Sequence, residues 1–233
     1  TDNDMYIKLE WEKAHYDAAY TRAYRIEVLQ NKHGVLIMEH VAVVADTVQK
    51  ILDVKMTWKI NEDGKIEAVI EAVKDKEFPD LPRFGIRMFL NKKMDEITYF
   101  GMGPQESYRD KHQASCHGLF RSKVAQMHED YIRPQENGSH YDCDYVELTN
   151  GQYGIAAVSK NPFSFNASVY TQEELERVSH NYELKESDSI VFCMDYAMNG
   201  IGSNSCGPDV LDKYRFAEEA FQFQFELIPF VKG

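Results

Sequence analysis

Two glutamates in irregular segments are the first residues of this sequence that could do chemistry: Glu106 in Gly103-Pro104-Gln105-Glu106 and Glu136 in Pro134-Gln135-Glu136-Asn137-Gly138. Glycoside hydrolysis needs two carboxyl groups placed across one sugar ring, and loops marked by glycine and proline are common places for such groups. A single acidic residue in a loop serves equally well to fix backbone by accepting N–H bonds. His112, His117, His128 and His140 fall within one stretch, but they match no HExxH pattern and no i, i+4 helical face, so core or surface roles are expected for them. Asp142-Cys143-Asp144 lacks the longer alternation and closing Glu of a calcium loop. In a strand its two carboxylates share one face and the thiol turns to the other. The most unusual segment is Gly200-Ile201-Gly202-Ser203-Asn204-Ser205-Cys206-Gly207-Pro208. Its composition specifies a tight loop. No Lys and no helix follow as a phosphate loop requires, and a nucleophilic Ser or Cys would need a base where no adjacent His is evident.

The elements that must position these residues are mostly strands. Residues 8–20 are helix-compatible and free of Gly and Pro. Residues 35–45 and 48–60 are rich in β-branched side chains, and Asn61-Glu62-Asp63-Gly64 turns the chain into a further strand over 65–73, giving a hairpin. Residues 83–90 and 97–100 read as strands, whereas 101–138 looks irregular and suited to wrapping one end of the sheets. Asn150-Gly151 between residues 145–149 and 152–158 is the strongest hairpin signal, with a type I′ turn expected. Residues 163–170 and 190–196 are further strands, and Thr171-Gln172-Glu173-Glu174 forms a capping box for a short helix through Val178. Phe221, Phe223, Phe225 and Leu227 alternate with polar residues, which predicts a half-buried strand whose rings point between two packed sheets. Many short strands with turn signals and only two short helices mean an all-β antiparallel sandwich, read as one domain over residues 1–233.

Composition limits the function. Hydrophobic residues make up 43% and charged residues 27% of the 233, as in ordinary globular proteins. A net charge of −12 argues against nucleic acid and against anionic membrane surfaces. No apolar run approaches the ~18 residues of a membrane span. Thr1-Asp2-Asn3-Asp4 has neither the charged nor the apolar region of a signal peptide, and with no Met at position 1 it reads as a trimmed or processed start. The four cysteines form no CxxC pair, so reduced thiols in a cytoplasmic protein are expected, with no metal and no cofactor.

Five segments carry a resemblance. Residues 99–108, with Gly101-Met102-Gly103-Pro104-Gln105-Glu106-Ser107-Tyr108, resemble the G-x-G-P-x-E-[NS]-Y signature of the last domain of glycoside hydrolase family 2 β-galactosidases. Tyr131-Ile132-Arg133-Pro134-Gln135-Glu136-Asn137-Gly138 resembles its Y-x-x-P-x-E-N-G block, and Leu81-Pro82-Arg83-Phe84-Gly85 its L-P-R-x-G strand entry. The loop from Gly200 to Pro208 is similar to its G-x-G-x-x-S-x-G/S-P segment, and Asp2-Asn3-Asp4 to the tail of its R-x-P-x-D-N-D motif. Each block is modest alone, but five in order across residues 1–208 are specific.

The resemblance implies a large antiparallel β-supersandwich of the galactose mutarotase type. It also implies a parent enzyme that hydrolyses terminal β-galactosides such as lactose with retention. In that family the catalytic glutamates lie in a separate (β/α)8 barrel, so no catalytic residue is assigned to this chain, and neither Glu106 nor Glu136 takes those roles. The implied partners are that barrel domain, a galactoside and, for the parent, further copies of itself. Gly202, Asn204, Ser205 and Cys206 are implied to line the substrate site, with Cys206 standing where well-known members place an aromatic platform. Asp2, Asn3 and Asp4, with residues 5–11 behind them, are implied to lie near the active-site mouth. Two rivals use the same fold. A stand-alone aldose epimerase would bring His140 or His180 to a pocket Glu. A carbohydrate-binding module would expose an aromatic strip drawn from Trp11, Trp58 and the tyrosines, although Trp58 sits in an alternating strand where sheet-face packing is expected.

Overall fold

A computed structural model describes residues 4–202 and 207–232. The chain runs α1 (Ile7–Lys13), β1 (Tyr20–Asn31), β2 (Gly34–Val44), β3 (Lys50–Asn61), β4 (Ile66–Lys74), β5 (Arg83–Asn91), β6 (Glu96–Gly103), β7 (Cys116–Lys123), β8 (Ser139–Thr149), β9 (Tyr153–Ser168), α2 (Gln172–Arg177), β10 (Ser189–Met198) and β11 (Ala220–Val231). Every strand pairing is antiparallel.

The two sheets expected from the sequence are one hydrogen-bonded network in the order β1-β2-β3-β4-β11-β9-β8-β6-β7, with β10 joining β9 to β5. The cause is β9. Its first part, Tyr153–Val158, pairs with β11, and its last part, Ser164–Ser168, pairs with β10, so a single 16-residue strand serves both layers. The layers still pack face to face. Phe221 of β11 meets Phe84 of β5 and Tyr196 of β10 with ring centroids 4.8 Å apart in each case, although β11 shares no ladder with either strand. Phe221, Phe223, Phe225 and Leu227 are all buried, as their alternation requires.

Other departures have local causes. The first helix stops at Lys13, short of the expected residue 20, because His15 adopts a left-handed φ of 57° that no α-helix continues. Two strands appear where none was read, β1 and β7. The hairpin at Asn150-Gly151 forms, but Gly151 alone takes a positive φ, 86°, so the turn is not type I′. Instead the Asn150 carboxamide accepts the N–H groups of Gln152 and Tyr153, each at 2.9 Å. At α2, Thr171 caps as expected by accepting the Glu174 N–H at 3.1 Å, but the Glu174 carboxylate turns away to Arg177 and the Lys185 N–H, leaving half of the capping box. Cys143 is buried between its two half-buried aspartates, and the ladder shifts register on both sides of it.

Candidate functional site

Glu106 is a structural fastener. Its buried carboxylate accepts from the Lys111 ammonium, the Tyr131 hydroxyl and, at 2.8 Å, the Gly138 N–H. Burial pushes its carboxyl up, but these three donors outweigh that and hold it below the ordinary range. One side chain thereby ties three of the irregular segments together, which is the backbone-fixing role that its loop position allows.

Glu136 belongs to a second cluster. Arg83, at the start of β5, places Nε 2.8 Å from Asp195 Oδ1 and Nη2 2.6 Å from Oδ2, a bidentate fork onto a carboxylate of β10. Its third nitrogen, Nη1, lies 3.4 Å from Glu136 Oε2. Gly85 makes room for this pair, since a Cβ there would meet Asp195 Oδ1 at 2.4 Å and Met194 O at 2.3 Å. Burial alone would lower the Arg83 guanidinium; Asp195 and Glu136 outweigh it and hold it well above its ordinary value. Burial pushes the Glu136 carboxyl up, with Arg83 opposing, and among the described residues the buried Glu136 Oε1 has no hydrogen-bond partner. The two loop glutamates are thus held by separate cations.

In front of Glu136 opens a cavity of about 920 Å³. Asp4, Met5, Lys8, Trp11 and Glu12 line it from the chain start and α1; Tyr16 and Asp17 follow; Pro82, the stretch Arg133 to Glu136, and Gln172, Leu175 and Glu176 of α2 complete it. Two polar anchors fix the aromatic wall. Trp11 Nε1 donates to Asp80 O at 2.9 Å, and Tyr16 Oη donates to Pro79 O at 2.7 Å. A smaller cavity of about 270 Å³ lies behind, among Arg83, Arg87, Gln172, Cys193 and Asp195.

Of the residues expected at a substrate site, Asp4 lines the large cavity and Gly202 is exposed. Asp2, Asn3, Asn204, Ser205 and Cys206 lie outside the described residues. The entry to their loop is held by Asp110, which the sequence did not single out. Its two oxygens accept the Ile201 N–H at 3.0 Å and the Gly202 N–H at 2.9 Å. A Cβ at Gly200 would meet the Asp110 carboxylate at 2.8 Å. Just before that entry, the Asn199 N–H donates to Pro82 O at 2.9 Å, joining the loop's base to the cavity wall.

The histidines do not assemble into a site. His140 is buried with Nδ1 3.0 Å from Met102 O and its ring against Tyr99 and Phe165. His112 and His117 contact the carbonyls of Tyr108 and Asp142, and the His128 ring packs against Tyr170. His180 is exposed beside Glu183, and neither His140 nor His180 lines either cavity. The epimerase reading therefore lacks the His–Glu convergence it needs. Trp58 packs edge-on against Phe225, with ring centroids 6.0 Å apart, and donates to Glu39, so it is part of the sheet face as its alternation predicts.

Comparison with known proteins fits this architecture. Residues 1–227 match the family described as beta galactosidase small chain. A beta-galactosidase from Actinobacillus pleuropneumoniae is 46% identical over 98% of this chain, and one from Staphylococcus xylosus is 35% identical over 97%. The chain spans only 22% and 23% of those two proteins. Among solved structures, a galactose 1-epimerase from Lactobacillus acidophilus NCFM superposes with a TM-score of 0.54 over 89% of this chain and 66% of that one, at 9% identity, a likeness of fold alone. Sequence blocks, antiparallel architecture and family match agree: the chain belongs to the beta galactosidase small chain family.

Proposed function

We propose that this chain, as one domain over residues 1–233, is the accessory part of a retaining β-galactosidase that hydrolyses terminal β-galactosides such as lactose. The observation that carries the reading is the match of nearly the whole chain to about a fifth of two β-galactosidases. Gly202, Asn204, Ser205 and Cys206 form a wall of the galactose site, with Asp2, Asn3 and Asp4 at its mouth. The catalytic carboxylates come from a partner barrel in the rest of the enzyme. This division of labour is supported by Glu106 and Glu136, which are each held by a cation of this chain. The working enzyme is cytoplasmic, and this domain brings no cofactor to it.

The isolated chain is expected to show no turnover of a chromogenic β-galactoside, because it lacks the carboxylate pair that hydrolysis needs. Adding the remaining polypeptide of the parent enzyme should restore hydrolysis. Turnover by the chain alone that disappears in Glu106→Gln or Glu136→Gln would overturn the reading. Galactose affinity at a one-walled site should be millimolar or weaker, worth about 4 kcal/mol at most.

Cys206→Trp in the complete enzyme tests the wall itself. An indole at that position adds stacking area that a thiol lacks. The Michaelis constant or inhibition constants for galactosides should change while the fold is retained. Unchanged constants across several galactosides would remove Cys206 from the site.

A further inference from the structure

We infer that Arg109 and Asp110 are positioning residues for galactoside binding, a two-armed clasp that sets where the loop between β10 and β11 meets the sugar. The inference rests on the proposed function for what that loop touches, and it gives a role to a sequence block that the reaction leaves unused. Two consecutive residues grip the two arms of one loop. On the entry arm, Asp110 Oδ1 accepts the Ile201 N–H at 3.0 Å and Oδ2 accepts the Gly202 N–H at 2.9 Å. On the exit arm, Arg109 Nη1 donates to Arg215 O at 2.8 Å. The base of the loop is closed by the buried Asn199, whose Oδ1 accepts the Phe216 N–H at 3.0 Å. Gly202 belongs to the proposed sugar wall, so the clasp is bonded to that wall directly.

The clasp is itself braced. Tyr108 and Lys111 exchange backbone bonds of 2.8 and 3.0 Å around it, and the Ser107 N–H donates to Ser139 O at 2.7 Å. The Lys111 ammonium is seated on the Glu106 carboxylate, so Glu106 fastens the clasp rather than meeting the sugar. The loop is shaped to receive it. A Cβ at Gly200 would meet the Asp110 carboxylate and Val210 Cγ1, each at 2.8 Å, and one at Gly202 would meet Asp110 Oδ2 at 3.2 Å. The Gly-x-Gly spacing therefore lets one carboxylate reach two successive N–H groups. Three glycines within residues 200–207 make this loop costly to order. Two charge-assisted bonds at its entry offset part of that cost before a ligand arrives, which is preorganisation. A wall contact to the sugar acts on substrate and transition state alike, so loosening the clasp weakens binding more than it slows turnover.

The test is made in the complete parent enzyme, with a chromogenic β-galactoside for turnover and the inhibition constant of galactose as an equilibrium reading of the wall. Asp110→Asn keeps the side-chain volume but turns an NH2 group toward one of the two N–H donors. It should raise the galactose inhibition constant and the Michaelis constant about tenfold, equivalent to ~1.4 kcal/mol, with kcat changed far less. Gly200→Ala, which crowds the same carboxylate, should act in the same direction, and Arg109→Ala, which frees the exit arm, more weakly. A double-mutant cycle with Asn204→Ala separates positioning from general loosening. If Asp110 acts through the loop, Asp110→Asn adds little once the loop's own sugar contact is gone. Additive effects in that cycle overturn the inference, as does an unchanged inhibition constant in an Asp110→Asn enzyme whose thermal midpoint shows it folded. If Asp110→Asn fails to fold, Gly200→Ala and Arg109→Ala carry the same test. Constants that respond to Asn204→Ala and Cys206→Trp but to none of the clasp variants leave the proposed wall standing and remove the clasp. Constants that ignore Asn204→Ala and Cys206→Trp alike remove the wall, and the clasp with it.

Discussion

Arg83→Leu should cost the folded chain about 3–5 kcal/mol, the usual penalty for breaking a buried ion pair from one side. Asp195 is only 2% exposed and receives two bonds from this guanidinium, while Glu136 has no other donor among the described residues. Removing the cation strands both carboxylates in a region of low dielectric. Urea unfolding of Arg83→Leu, Asp195→Leu and the double variant gives the coupling directly. The double variant should lose less than the sum of the singles, because an apolar pair needs no countercharge. A loss below about 1 kcal/mol in Arg83→Leu, the scale of an exposed pair, would show that the fork contributes no more than a surface contact. The change should also disturb the large cavity, since Glu136 lines it.

Acid should destabilise the chain through His140. Burial lowers its imidazole from 6.5 to about 4, with the Met102 carbonyl and Glu106 opposing. The unfolded chain therefore takes up the proton first as pH falls. Stability from this group is complete above about pH 6.5 and is lost as pH drops toward 4, by an amount on the order of 3 kcal/mol. Glu136 works in the opposite sense. Its carboxyl is pushed up by burial, so the folded state keeps that proton to higher pH and gains relative stability on acidification. The His140 contribution is therefore read as the difference between the wild type and His140→Gln, in urea midpoints across this window. The variant should show a flatter acid limb. Parallel curves would mean that the imidazole titrates alike in the folded and unfolded chains.

The sequence revealed elements whose environment is simple. β11 was legible because Phe221, Phe223 and Phe225 face the core and the glutamines between them face outward. β1 was missed because it is an edge strand exposed along almost all of its length, with Ile26 57%, Val28 60% and Leu29 57% exposed, and because a bulge between Ala23 and Arg25 breaks its period. β7 was missed because its pairing is supplied by β6, on the far side of the loop that carries Glu106. The site follows the same division. Glycine and proline marked the segments around Glu106, Glu136 and the loop from Gly200, and family motifs tied them to a sugar site. Arg83 and Asp195 stand 112 positions apart, and nothing local in either stretch announces the other. Asp110 is equally silent, since its role exists only once Gly200 and Gly202 are folded against it.

The position of β11 bears on how the chain is made. This strand, at residues 220–231, lies between β4 and β9 and bridges them. While the nascent polypeptide is still emerging from the ribosome, that gap stays open, and the faces of Ile70 and Ala157 that end fully buried have no strand between their own. Closing it requires pairings between distant parts of the sequence, which form slowly and leave sticky intermediates in the meantime. A chain without β11 leaves an unzipped sheet that proteases can reach. Insertion of β11 thus closes the sheet on both of its sides in one step.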